Sequence, residues 1–162
     1  MLFFLLLALA TGAAALAGRL GMPGLATWPA RMRWGLAFGL VLVGLDHLGH
    51  SARYVAMIPP ALPFPHGIAL FTGLCEIAGG IGLLVPRLRR AAGFMLALYF
   101  VCVFPANIHN ALSGGAGLEG LPAASWYYWV RLPFQPLIIW WALRAAELIA
   151  WPRGAAPQPR IA

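Results

Sequence analysis

Apolar positions in this chain gather into five long stretches, separated by short segments rich in arginine, proline or glycine. A helix needs about 20 apolar residues to cross a bilayer. By that measure the spans run from Leu2 to Ala17, Arg33 to Gly49, Gly67 to Val85, Ala91 to Leu112 and Trp129 to Ile149. Pro133 and Pro136 fall in the first turns of the last span, where proline kinks or delays a helix. The pattern predicts an all-α fold, a polytopic membrane helix bundle. The first span falls within residues 1–20, the other four within residues 33–150, and a disordered cytoplasmic tail occupies residues 151–162.

Composition points the same way. The chain has 162 residues, 62% hydrophobic and 9% charged, against about 25% charged in an ordinary soluble domain. All eleven basic residues are arginine, which with the Ala, Gly and Pro content suggests a GC-rich bacterial genome. A net charge of +7 raises the question of nucleic acid. The arginines lie in short loops between apolar spans, so membrane orientation explains them and no nucleic-acid partner is expected. With five spans, nine arginines fall on one side, and only Arg53 and Arg131 on the other. The positive-inside rule then predicts a multi-pass protein of the bacterial inner membrane, N-terminus outside and C-terminus cytoplasmic. The first span has no basic residues ahead of it, so it reads as a retained helix and not a cleaved signal.

Glu76 is the residue that most needs explaining. It lies in the middle of the third span, where a charge costs about 3 kcal/mol unless paired or protonated. Its helical neighbours Thr72, Gly73, Gly79 and Gly80 make a small face that another helix can approach closely. Either Glu76 holds helices together as a protonated or hydrogen-bonded side chain, or it is a proton relay or quinone contact. Spans three and four form a hairpin around Arg87 to Arg90, which puts Glu76 near the depth of Tyr99 and Cys75 near Cys102. Asn107 and His109 then approach the outer surface, as do Asp46, His47 and His50 at the end of span two. Asp46 has Arg53 or Arg131 as possible partners.

His47 and His50, three apart, and Asp46 and His50, four apart, each share a helix face. With His109 they are weak candidates for a metal or haem site; the expected reading is ordinary interfacial histidines and no metal. Cys75 and Cys102 form no metal motif and read as small core residues. Gly35 and Gly39, with Ala78 and Gly82, read as tight helix packing. Trp126 to Trp129 read as an interfacial aromatic belt. The loop from Met57 to His66 contains Pro59, Pro60, Pro63 and Pro65, and is a lid over the outer polar cluster or a stiff connector.

Several of these segments occur in a familiar order. Gly44-Leu45-Asp46-His47 precedes Tyr54-Val55-Ala56-Met57-Ile58-Pro59-Pro60-Ala61-Leu62-Pro63. Gly73-Leu74-Cys75-Glu76-Ile77-Ala78-Gly79-Gly80 follows, then Phe104-Pro105-Ala106-Asn107-Ile108 and Arg131-Leu132-Pro133-Phe134-Gln135. Over roughly Trp34 to Leu143 this resembles the DoxX-like family of bacterial membrane proteins. The resemblance implies a four-helix membrane core with the first span as an addition. Its matching positions are His47, Pro59, Pro60, Glu76, Pro105, Asn107, Arg131 and Gln135; Leu48 stands where the family usually has an aromatic residue.

The candidate polar site is therefore Asp46, His47, Glu76, Asn107, His109, Arg131 and Gln135, with Pro59, Pro60 and Pro63 as a structural loop. The resemblance implies a redox-associated, quinone-linked membrane subunit, with the lipid bilayer and a redox-complex subunit as partners. The alternative is a non-catalytic membrane binding or assembly protein. No nucleophile–base pair, phosphate loop or dinucleotide fingerprint appears in the sequence, so a subunit role is favoured over independent catalysis.

Overall fold

The structure, a computed structural model, describes residues 2–114 and 125–150. The tail expected at 151–162 lies outside the described residues. Seven helices make up these residues, and they contain no strand: α1 (Leu2–Arg19), α2 (Trp28–Gly49), α3 (Ser51–Val55), α4 (Pro65–Leu84), α5 (Arg89–Leu112), α6 (Ser125–Arg131) and α7 (Phe134–Ala145). Two of them, α4 and α5, are long and apolar enough to cross a membrane.

Local chemistry explains the helix ends. Helix α2 begins five residues before the expected Arg33. Thr27 caps it, its hydroxyl accepting from the Ala30 N–H at 3.4 Å, and Pro29 stands in the first turn. A side-chain acceptor and an early proline both favour a start there. Helix α4 opens on Pro65 and closes at Val85, which is extended as the residue before a proline must be. The last expected span, Trp129 to Ile149, is broken: α6 ends at Arg131 and α7 starts at Phe134. Pro133 lacks an N–H and disfavours helix at Leu132, so the two cannot join smoothly. Helix α7 alone is about 18 Å long, well short of a bilayer's apolar thickness.

Helices α2, α4, α5 and α7 form a ring in which α2 and α5 each touch both α4 and α7, while α1 packs along the outside of α2. Leu36, Leu40, Leu83, Leu96, Ile138 and Ala142 fill the centre. Gly35 faces Thr11 of α1. The small face at Gly35 and Gly39 therefore serves the α1 contact, whereas Ala78 is exposed and Gly82 faces Ala92 of α5. Helices α2 and α4 also cross closely. A Cβ on Gly44 would meet the Gly73 carbonyl oxygen and Ile77 Cγ1, both at 2.6 Å. Outward faces remain apolar: Phe71, Leu74, Phe94, Met95, Leu98 and Val101 are all exposed.

Candidate functional site

The Gly44–Gly73 crossing places His47, one turn beyond Gly44, against Glu76, one turn beyond Gly73. Both side chains are buried. The Tyr99 hydroxyl of α5 donates to Glu76 Oε1 at 2.9 Å. The other carboxyl oxygen, Oε2, has no hydrogen-bond partner among the described residues and faces His47 Nε2 at 3.7 Å. That distance is within ion-pair reach and too long for a hydrogen bond. On the far side of the ring, His47 Nδ1 lies 3.0 Å from the Ala69 carbonyl and 3.2 Å from Thr72 Oγ1. Thr72 gives its own hydroxyl proton to that carbonyl at 2.8 Å. Both groups thus present acceptors to Nδ1, which assigns the ring hydrogen to Nδ1. Nε2, without the ring hydrogen, faces Glu76 Oε2. One proton between Nε2 and Oε2 keeps the pair neutral overall, wherever it resides. An isolated buried charge would be costly.

Tyr54 of α3 covers this pair. Its ring stacks on His47 with centroids 3.4 Å apart, and its hydroxyl donates to Asp46 Oδ2 at 2.5 Å. Burial, reinforced by the Asp46 hydrogen bond, raises the Tyr54 hydroxyl well above its ordinary range, so it remains a donor. Asp46 also accepts from Arg53 Nη1 at 3.2 Å and contacts His50 Nδ1 at 2.8 Å. Asp46 is therefore partnered by Arg53 and not by Arg131. The cover over His47 comes from α3, since Pro60, Pro63 and Phe64 of the proline-rich segment are exposed and Pro59 is half-buried.

Asn107, Arg131 and Gln135 form a second cluster. Arg131 Nη2 donates to Asn107 Oδ1 at 3.4 Å, and Asn107 Nδ2 donates to Gln135 Oε1 at 3.2 Å. Gln135 Nε2 donates to the Phe100 carbonyl of α5. None of these bonds involves His109. One turn from Asn107, Asn110 is 1% exposed and its amide has no partner among the described residues. The expected single polar site is thus two clusters, one around Glu76 and one around Gln135, with His109 in neither. Sequence reasoning missed Tyr54, Thr72 and Asn110 as site residues, and used Tyr99 only as a depth marker. The signal for Tyr54 was its eight-residue distance from Asp46 across the break after α2.

Among the described residues, no three metal-binding side chains gather. His47 turns to Glu76, Ala69 and Thr72, and His50 to Asp46. Cys75 and Cys102 are free, Cys102 exposed.

At the opposite end, Arg33 is buried in α2 and is no loop residue. Its Nε donates to the Ala145 carbonyl at 3.0 Å, and Nη2 lies 3.3 Å from Glu147. It caps the C-terminus of α7, where carbonyls lack helical donors and a cation is favoured. Arg89 Nη1 reaches the same glutamate at 3.5 Å.

The model of a family described as Domain of unknown function (DUF8561) matches residues 36–146. The chain belongs to this family. The match takes in both polar clusters and α3 to α7, and leaves α1 outside. Neither curated proteins nor solved structures provide a match.

Proposed function

We propose that this chain is a polytopic protein of the bacterial inner membrane whose His47–Glu76 pair holds and passes a proton in a quinone-linked redox system. The bundle of α2, α4, α5 and the broken α6–α7 segment would span the bilayer, with α1 as an added helix. Supporting the membrane part are the length and apolar character of α4 and α5 and the large apolar side chains on outward faces. The arginine distribution favours the end with Arg33, Arg87, Arg89 and Arg90 in the cytoplasm.

The observation that carries the proton reading is the buried face-to-face arrangement of Glu76 Oε2 and His47 Nε2. A pair of this kind accepts or releases one proton without hydrogen-bond rearrangement at Nδ1. Quinone reduction consumes two electrons and two protons. A partner subunit would supply the electrons, and the Nε2–Oε2 pair would pass the two protons one at a time, reloading between them. Tyr99 orients the carboxyl. The resemblance of the motif order to that of the DoxX-like family supports the quinone-linked setting.

Redox difference infrared spectroscopy of the intact protein in nanodiscs loaded with ubiquinone tests this. A carboxyl C=O band that changes on quinone reduction and vanishes in Glu76→Gln supports it. A wild-type protein that binds no quinone, or a difference spectrum unaffected by Glu76→Gln, would sink it.

A second reading, a non-catalytic membrane binding or assembly protein, is favoured by the Arg131–Asn107–Gln135–Phe100 chain, whose bonds tie α5 to α6 and α7 internally. On that reading Glu76→Gln lowers stability and changes no redox-linked signal.

A further inference from the structure

Polar contacts continue from Glu76 toward one end of the bundle and stop abruptly toward the other. On the α3 side lie His47, Tyr54 and Asp46, and then His50, whose side chain is 63% exposed. On the other side Leu36, Leu40 and Leu83, each 0% exposed, and Leu96, 2% exposed, close the centre of the ring. Beyond them lie Arg33, Arg89 and Glu147. A proton cannot cross four packed leucines that carry no acceptor, whereas it can move along oxygen and nitrogen atoms at hydrogen-bond spacing.

We infer that the His47–Glu76 pair exchanges its proton with one aqueous side only, the side of residues 50–64, by way of His50, Asp46 and Tyr54. This rests on the reading of the pair as proton-holding. A proton landing on His50 passes to Asp46 Oδ1, 2.8 Å away. The protonated Asp46 carboxyl must then turn to present that proton to the Tyr54 oxygen, as Tyr54 releases its own hydroxyl proton inward. The stacked rings make no hydrogen bond between Tyr54 and His47, so the last transfer needs a bridging water and is the slow step. Tyr54 meets the pair through its ring, stacked on His47 with centroids 3.4 Å apart. The groups facing Glu76 are His47 from α2 and Tyr99 from α5, with Tyr54 of α3 stacked on His47.

The test is stopped-flow infrared spectroscopy of the full chain in nanodiscs after a jump into D2O. It follows the C=O band of the protonated Glu76 carboxyl, assigned by its loss in Glu76→Gln. Tyr54→Phe and Asp46→Asn should slow the deuterium shift about tenfold or more, while Glu147→Gln at the closed end leaves it unchanged. Tyr54→Phe keeps the ring stacked on His47, which separates loss of the hydroxyl from loss of packing. Wild-type rates in both Tyr54→Phe and Asp46→Asn overturn the route. Comparable slowing by Glu147→Gln overturns the one-sidedness. A wild-type protein without a Glu76 carboxyl band at any pH overturns the underlying proton reading, and the route with it.

Discussion

At the residue scale, Glu76 is held by one donated hydrogen bond and one facing imidazole. Tyr99→Phe removes the donor and leaves Oε1 buried without a partner. Such a loss costs about 1–3 kcal/mol, read as a lowered unfolding midpoint in detergent or nanodiscs. An unaltered midpoint would mean the bond contributes nothing. Arg33 is the comparable residue at the other end. Arg33→Met keeps the apolar stem but deprives the Ala145 carbonyl of its donor and leaves Arg89 as the remaining arginine on Glu147. We expect a loss of about 1–3 kcal/mol there too. Glu76 was legible as a buried, functional-or-structural residue because a charge in an apolar span is costly wherever it occurs. Arg33 stood at the very start of the second span in the sequence, because the Thr27 cap that starts α2 five residues earlier went unnoticed.

At the element scale, the site depends on how closely α2 and α4 approach. Gly73→Val puts atoms where His47 Cβ and the Gly44 carbonyl already are, with the His47 Cβ only 2.5 Å from an added Cβ. Forcing the helices apart should cost roughly 2 kcal/mol or more. Gly67→Ala in the exposed first turns of α4 has Phe64 Cβ as its nearest neighbour at 3.8 Å, and should be neutral or stabilising by up to about 1 kcal/mol. Thermal unfolding of the two variants side by side checks this. Equal midpoints would show that the crossing is not tight. The break between α6 and α7 was half-legible: Pro133 announced an interruption, but not that Gln135 would turn inward at it and bond to the Phe100 carbonyl.

At the scale of the whole molecule, the outward faces are as apolar as parts of the interior, and the charges collect at the two ends. A soluble protein seldom exposes so many large apolar side chains together. The chain should stay in the membrane fraction through alkaline carbonate washing; release into the soluble fraction would refute the membrane reading. Reporter fusions address orientation. One placed in the turn at Arg87 should be active in the cytoplasm, and one inserted near Leu62 should be active outside. The reverse pattern would invert the proposed topology, and with it the side from which Glu76 is reached.

Composition and the long apolar stretches were enough to establish a helical chain with segments able to enter a membrane, because helix formation and lipid affinity depend on what each segment is made of. They also singled out Glu76, His47 and Asn107, since polar residues in such segments are costly. Tertiary structure decided the partners. That His47 faces Glu76, that Tyr54 covers them, and that Arg131, Asn107 and Gln135 form a separate chain all follow from the Gly44–Gly73 crossing, the fold-back of α3 and the break at Pro133. Those are properties of how helices meet, and spacing along one helix carries no information about which face of another will lie against it.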